Sequence, residues 1–182
     1  MMQAMGSVRR IAAGLAVGAA AMAAGSAVAA QDESTNRVAA ETDWSVFVEE
    51  DPRACWSVSS PKEWVATRNG SEVQVRRGDI LLFVTYRPGD DVRGEISFTG
   101  GYPFRPDSTV SVEIGSETFQ LFTSGDWAWP ANPEDDARLK AAMQGGTEAI
   151  VTAVSSRGTQ TRDTFSLFGF TAAAAEAERR CQ

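Results

Sequence analysis

Residues 76–84 read Arg76-Arg77-Gly78-Asp79-Ile80-Leu81-Leu82-Phe83-Val84. Gly78-Asp79 is a turn signal, and five consecutive apolar residues follow it. A short apolar run behind a turn predicts a central strand buried on both faces. Outward from this stretch, apolar and polar residues alternate with a period of two. Trp44, Val46 and Val48 share one strand face, as do Trp56 and Val58 in the next segment. Val73 and Val75 alternate with Glu72, Gln74 and Arg76, and Ile96 and Phe98 alternate with Glu95, Ser97 and Thr99. Val110, Val112 and Ile114 lead into Gly115-Ser116, and Phe119 and Leu121 return, which is the pattern of a two-residue hairpin. A second hairpin is expected where Ala149–Val154 and Thr159–Leu167 flank Ser155-Ser156-Arg157-Gly158. Short strands at this spacing predict an all-β fold, a single-domain antiparallel β-sandwich with one or two short helices.

The first helix is expected after Asn132. This residue is a good N-cap, Pro133 suits the first helical position, and Glu134, Asp135 and Asp136 complement the positive end of the helix dipole. Leu139, Ala142 and Met143 form the apolar stripe, and Gly145-Gly146 ends the run. A second short helix, Ala172 to Arg180, carries Cys181.

The first thirty residues read as a leader. Arg9 and Arg10 precede an Ala/Gly-rich apolar run from Ile11 to Gly25, and Ser26 to Ala30 are small. This is the pattern of a secretory signal peptide, with cleavage expected after Ala29 or Ala30. Residues 31–42 are polar and aperiodic and read as a flexible lead-in, so the folded domain is expected over 43–182. The 182-residue chain has 17 Lys+Arg, 24 Asp+Glu and a formal charge of −7. Without residues 1–30, 15 basic and 24 acidic residues remain, a formal −9. This balance argues against nucleic acid, which requires a basic footprint. No segment of the mature part is apolar enough to span a bilayer as a helix, and a periplasmic, secreted or outer-surface location is expected. The two cysteines, Cys55 and Cys181, are expected to form a disulfide in an oxidising compartment.

Catalytic chemistry finds little support. With no histidine in the chain, Ser-His-Asp and Cys-His catalysis are excluded. Glu49-Glu50-Asp51, Asp90-Asp91 and Glu134-Asp135-Asp136 read as two turns and a helix start rather than as catalytic pairs or calcium ligands. Ser59-Ser60-Pro61-Lys62 matches Ser-x-x-Lys but follows a strand and lacks the partner motifs of the serine–lysine acyl enzymes. Arg77-Gly78-Asp79 spells the adhesion tripeptide, yet it enters an apolar strand instead of capping an exposed loop. No metal ligand set, catalytic residue or cofactor is expected.

The best binding candidates lie between Gly100 and Pro130, where Tyr102, Phe104, Trp127 and Trp129 stand among glycines and prolines. Trp127 and Trp129 share one face if extended, and core packing is the first expectation for them. Exposed together with Tyr102 or Phe104, they would instead form a partner-binding anchor.

Several stretches resemble one known family. Asp43-Trp44-Ser45-Val46 followed by Cys55-Trp56-Ser57-Val58-Ser59-Ser60-Pro61 is similar to the tryptophan–valine and cysteine–valine pattern of the invasion-associated locus B family. RRGDILLFVTYRPG (76–89), GEISFTGGYPF (94–104), DWAWP (126–130) and DTFSLFGFTAA (163–173) resemble its alphaproteobacterial branch. The resemblance covers residues 43–181. It implies an exported all-β protein, linked in some pathogens to host-cell entry, with no established catalytic residues to carry over. The function expected is that of a non-catalytic envelope or surface protein acting on an envelope or host protein partner. The alternative is a periplasmic small-molecule or glycan-binding module.

Overall fold

The computed structural model describes residues 36–182, so the leader peptide reading lies outside the described residues. Within them twelve strands join one antiparallel sheet. In chain order these are β1 (Arg37–Glu41), β2 (Trp44–Glu50), β3 (Arg53–Ser59), β4 (Glu63–Arg68), β5 (Ser71–Glu72), β6 (Leu81–Arg87), β7 (Val92–Thr99), β8 (Thr109–Ile114), β9 (Glu117–Ser124), β10 (Trp127–Trp129), β11 (Glu148–Val154) and β12 (Gln160–Ser166). Helix α1 (Pro133–Gly145) stands between β10 and β11, and α2 (Phe170–Arg180) closes the chain. The strand order across the sheet is β1-β2-β3-β6-β7-β10-β9-β8-β11-β12-β4-β5.

The sheet curls onto itself. Strand β3 belongs to one end and β4 to the other, yet Ser60-Pro61-Lys62 alone connect them. Phe98 of β7 meets Phe165 of β12 edge-on at 6.1 Å between ring centroids, although four strands separate them in the sheet. Trp44 Nε1 of β2 donates to the Ser166 carbonyl of β12 at 3.0 Å. The two layers of the fold are therefore halves of one continuous sheet. Its concave side holds Val46, Leu82, Val84, Ile96, Phe98, Val110, Leu121, Val151 and Phe165, all without solvent contact. Helix α2 lies inside the β1–β6 end, with Phe170, Ala173, Ala174 and Ala177 buried and the Phe170 ring 4.9 Å from Trp44. Gly169 leads into this helix at φ +90°, and a Cβ there would strike the Glu41 carbonyl at 1.9 Å, so only glycine lets α2 approach β1 this closely.

Both expected hairpins form: β8 and β9 turn through Gly115-Ser116, and β11 pairs with β12 from Glu148↔Ser166 to Val154↔Gln160. Helix α1 has its Asn132 cap, whose side chain accepts from the Asp135 N–H at 2.9 Å. Cys55 and Cys181 are bridged, with Cα atoms 5.8 Å apart.

Three expectations are corrected. Residues 37–41 of the flexible lead-in are an edge strand, β1, which pairs with β2 from Arg37↔Phe47 to Glu41↔Trp44. Its side chains are mostly solvated, so no apolar period marked it. The stretch around Val73 and Val75, read as a strand, carries no ladder beyond the Val73 N–H bond to the Ala66 carbonyl, and residues 73–80 belong to no strand. The segment is fixed instead by Arg77 and by Gly78, whose N–H donates to the Gly101 carbonyl at 2.9 Å. Gly101, at φ +71°, has Gly78 backbone atoms within 2.8 Å of where a Cβ would sit. Finally, β6 is central but buried on one face: Leu82, Val84 and Tyr86 enter the core, whereas Leu81, Phe83 and Thr85 are half-buried on the convex side.

Asp136 of α1 covers a gap in the sheet. Its carboxylate accepts the Ile96 N–H at 2.7 Å where β10 has ended and β7 lacks a neighbour. Burial, with smaller pushes from Glu95 and Asp135, raises its pKa from 3.8 to about 6; the Ile96 bond and Lys140 oppose this. The folded state thus holds a proton there that the unfolded chain has released, so stability falls as pH rises from about 4 to 6. Asp136→Asn keeps an acceptor for Ile96. Relative to wild type it is expected to gain on the order of 1 kcal/mol across that window, after discounting for the group's solvent contact. Urea melts at pH 4 and pH 7 check this, and a wild-type-to-mutant difference that does not change with pH would contradict it.

Candidate functional site

Strict alternation places a second set of side chains on the convex face of the same strands. On β2 this is Phe47, on β3 Trp56, on β6 Phe83, on β10 Trp127 and Trp129, and on β9 Phe122. The register lines them up across the sheet. Phe47 opposes Trp56, Trp56 opposes Thr85, Phe83 opposes Ser97, Trp127 opposes Thr99, and Trp129 opposes Phe122. The rings touch: Phe47–Trp56 at 5.7 Å, Phe83–Trp127 at 5.6 Å, Trp127–Trp129 at 6.4 Å and Trp129–Phe122 at 5.6 Å.

Strand β7 presents Glu95, Ser97 and Thr99 to the convex side and interrupts this band everywhere except at the Phe83–Trp127 contact, which bridges it and closes one end. The result is a trough of about 310 Å³ with aromatic walls (Trp56 and Phe83 facing Trp127 and Trp129) and a floor of Ser97 and Thr85. At the other end Arg87 meets Glu95 at 3.3 Å and Asp90 at 3.4 Å, both long for charged pairs. An adjoining concavity of about 670 Å³ shares Arg87, Glu95 and Trp129, and runs on past Pro130 to Asn132 and Asp136. The larger open cleft of about 920 Å³ between α1 and the β8–β9 turn has Glu113, Glu117 and Glu148 on its walls and no aromatic ring.

The structure does not bring the four predicted aromatic residues together. Trp127 and Trp129 share a face, as expected, but it is the convex face; Ala128 between them is the core residue. The expected core packing of the two tryptophans is therefore corrected to a half-buried surface position. Phe104 is 4% exposed and lies 6.0 Å from Phe98 inside the core, on the other side of the sheet. Tyr102 packs edge-on against Phe104 and donates to or accepts from Thr161. Sequence reading missed Phe47, Trp56, Phe83 and Phe122 as partners of the tryptophans.

Arg77 explains why the adhesion tripeptide is not one. Its guanidinium, 3% exposed, forms a bidentate pair with Asp163 at 2.5 and 2.7 Å, and its Nε donates to the Gly100 carbonyl at 2.9 Å. The rings of Trp64 and Tyr102 flank it at 5.4 and 5.1 Å. Ser59 Oγ donates to the Asp43 carbonyl at 2.7 Å, and Lys62 pairs with the Asp43 carboxylate. Asp90-Asp91 and Glu134-Asp135-Asp136 sit, as expected, at the turn after β6 and in the first turn of α1. Of Glu49-Glu50-Asp51 only Asp51 is in the β2–β3 turn, whereas Glu49 and Glu50 are the paired end of β2. Among the described residues no group of three or more His, Cys, Asp or Glu side chains is placed to hold a metal ion. No described helix is long and apolar enough to cross a membrane.

The family model for the invasion associated locus B (IalB) protein matches residues 44–178. The chain belongs to this family. The crystal structure of invasion associated protein B from Bartonella henselae is similar in fold, with a TM-score of 0.51 and 11% identity over 76% of this chain and 94% of that one. None of the curated proteins is significantly similar. The match spans both the core strands and the aromatic trough, since β2 through most of α2 lies within it. The all-β fold expected from the sequence is that of an IalB-family protein.

Proposed function

We propose that this IalB-family chain is an exported, non-catalytic binding protein that engages the envelope or cell surface through its convex aromatic face. One observation carries the reading. Six aromatic side chains from five strands line a face that the core does not need, because the concave face of the same strands is already filled. Trp and Tyr dominate binding hot spots, and a rigid sheet holds such rings at little entropic cost. Export is supported by family membership and by the Cys55–Cys181 bridge. Residues 1–30 are proposed as its cleaved leader, so the mature protein is expected to begin at Ala30 or Gln31. N-terminal sequencing checks this, and retained Met1 would refute it.

The test of the binding face is a photo-crosslinking residue at Phe122, which is 47% exposed. In cells it is expected to trap a discrete envelope species, and Trp127→Ala/Trp129→Ala is expected to abolish that adduct. Stability separates this from a packing defect. Trp129→Ala is expected to cost about 1 kcal/mol, whereas Trp44→Ala, at a site 1% exposed, costs about 3–5 kcal/mol. A loss at Trp129 as large as at Trp44 would make it a core residue and remove the proposed face.

A further inference from the structure

Resting on that binding-face reading, we infer that the trough walled by Trp56, Phe83, Trp127 and Trp129 is a binding site for a neutral oligosaccharide chain. Three features select this ligand. First, the walls are aromatic and the floor is hydroxylated by Ser97 and Thr85. Sugar rings are amphipathic in the same way: their axial C–H faces stack on aromatic rings, and their equatorial hydroxyls need donors and acceptors at the edge. A purely apolar partner would leave the floor hydroxyls and the Arg87–Glu95 pair desolvated without compensation.

Second, the polar groups at the end of the trough have spare capacity. Arg87 has five N–H donors and holds Glu95 and Asp90 only through contacts of 3.3 and 3.4 Å. Its side chain is 37% exposed and that of Glu95 31%, so both reach solvent beside Trp129. A planar donor fork next to a carboxylate acceptor matches a pair of adjacent ring hydroxyls.

Third, the shape and charge fit a chain without its own charge. The trough of about 310 Å³ continues past Trp129 into a concavity of about 670 Å³, so the site is elongated and in the size class of small-ligand sites. A typical protein partner would instead need about 800 Å² of complementary surface on each side. Along this groove one cation, Arg87, stands against Glu95 and Asp136, within a chain of formal charge −7. Sulfated or uronic chains are repelled by that balance.

The test is intrinsic tryptophan fluorescence of the oxidised protein titrated with maltohexaose, cellohexaose and hexa-N-acetylchitohexaose. A fully sulfated heparin hexasaccharide serves as the charged control. At least one neutral hexasaccharide is expected to give a saturable change, binding at least tenfold more tightly than its disaccharide. Trp129→Ala and Glu95→Gln are each expected to weaken it at least tenfold, while Trp64→Ala, remote from the groove, leaves it unchanged. Absence of saturation with all three neutral chains at 10 mM, equal binding by Trp129→Ala, or preference for the sulfated chain would overturn the inference. If the Phe122 crosslink to an envelope protein persists in that event, the binding-face reading stands and the oligosaccharide assignment alone fails. If both are lost, both fail.

Discussion

Arg77→Met is expected to destabilise the protein by about 3–5 kcal/mol, because it strands a carboxylate that has no access to water. The Asp163 side chain is 0% exposed and that of Arg77 3%. Burial already raises the Asp163 pKa, while the Arg77 hydrogen bonds and charge hold it down. Removing Arg77 leaves desolvation unopposed. Asp163 then folds protonated at a pH where the unfolded chain is ionised, and stability falls as pH rises through that interval. The penalty of Arg77→Met is therefore expected to shrink as pH is lowered from 7 towards 4. A paired Arg77→Met/Asp163→Leu variant, which removes both charges, is expected to recover much of the loss, since an apolar pair of similar volume can replace a buried ion pair. Urea denaturation of both variants across pH decides it. A loss below about 1 kcal/mol at pH 7, or one that is the same at every pH, would show that the pair is not the fastener of residues 73–80.

That pair also marks where sequence reading fails. Val73 and Val75 alternate like strand residues, but a ladder needs a neighbour with free backbone groups, and alternation carries no information about one. Arg77 supplies long-range tethering that a period-two pattern cannot report. Strand β1 is the converse case: Arg37–Glu41 has little apolar signal because it is an edge strand, made by pairing with β2 rather than by burial. Where structure is encoded within a few residues, the sequence is legible. Asn132 and Pro133 start α1, and Gly115-Ser116 turns β8 into β9.

The aromatic trough was half legible. The continuous run Ile80–Val84 means that both faces of β6 carry apolar groups, but sequence does not say whether the second face is core or surface. Here Leu82 and Val84 fill the core, and Phe83 joins the trough. Likewise Trp127 and Trp129 were placed together, and the small Ala128 between them was the sign that their own face was not the packed one. Phe122 follows the fully buried Leu121 and Phe47 precedes the buried Val48, so each carries the same two-faced signal.

Replacing both cysteines by serine is expected to cost about 2–5 kcal/mol. The bridge spans 126 residues of sequence, and the chain-entropy cost of a loop that long is near the top of the usual range, about 4.7 kcal/mol for 100 residues. Thiol titration of the unfolded, unreduced protein is expected to find no free thiol, and two titratable thiols would refute the bridge. Its loss should act locally as well. Cys55 sits on the concave side of β3, and its neighbour Trp56 points the other way into the trough wall. The bridge thus fixes α2 behind the very strand that supplies the wall. Helix α2 keeps Phe170, Ala173, Ala174 and Ala177 in the core, and Arg53 Nε still donates to the Arg180 carbonyl at 3.1 Å. The double serine variant is therefore expected to stay folded, with faster amide exchange in the last turn of α2 and in β3, and with weakened ligand capture at the trough. The expected loss of about 2–5 kcal/mol, with no acceleration of β3 exchange beyond what that global loss itself produces, would separate the two effects. It would leave the bridge as a constraint on the unfolded chain alone, with no part in holding Trp56.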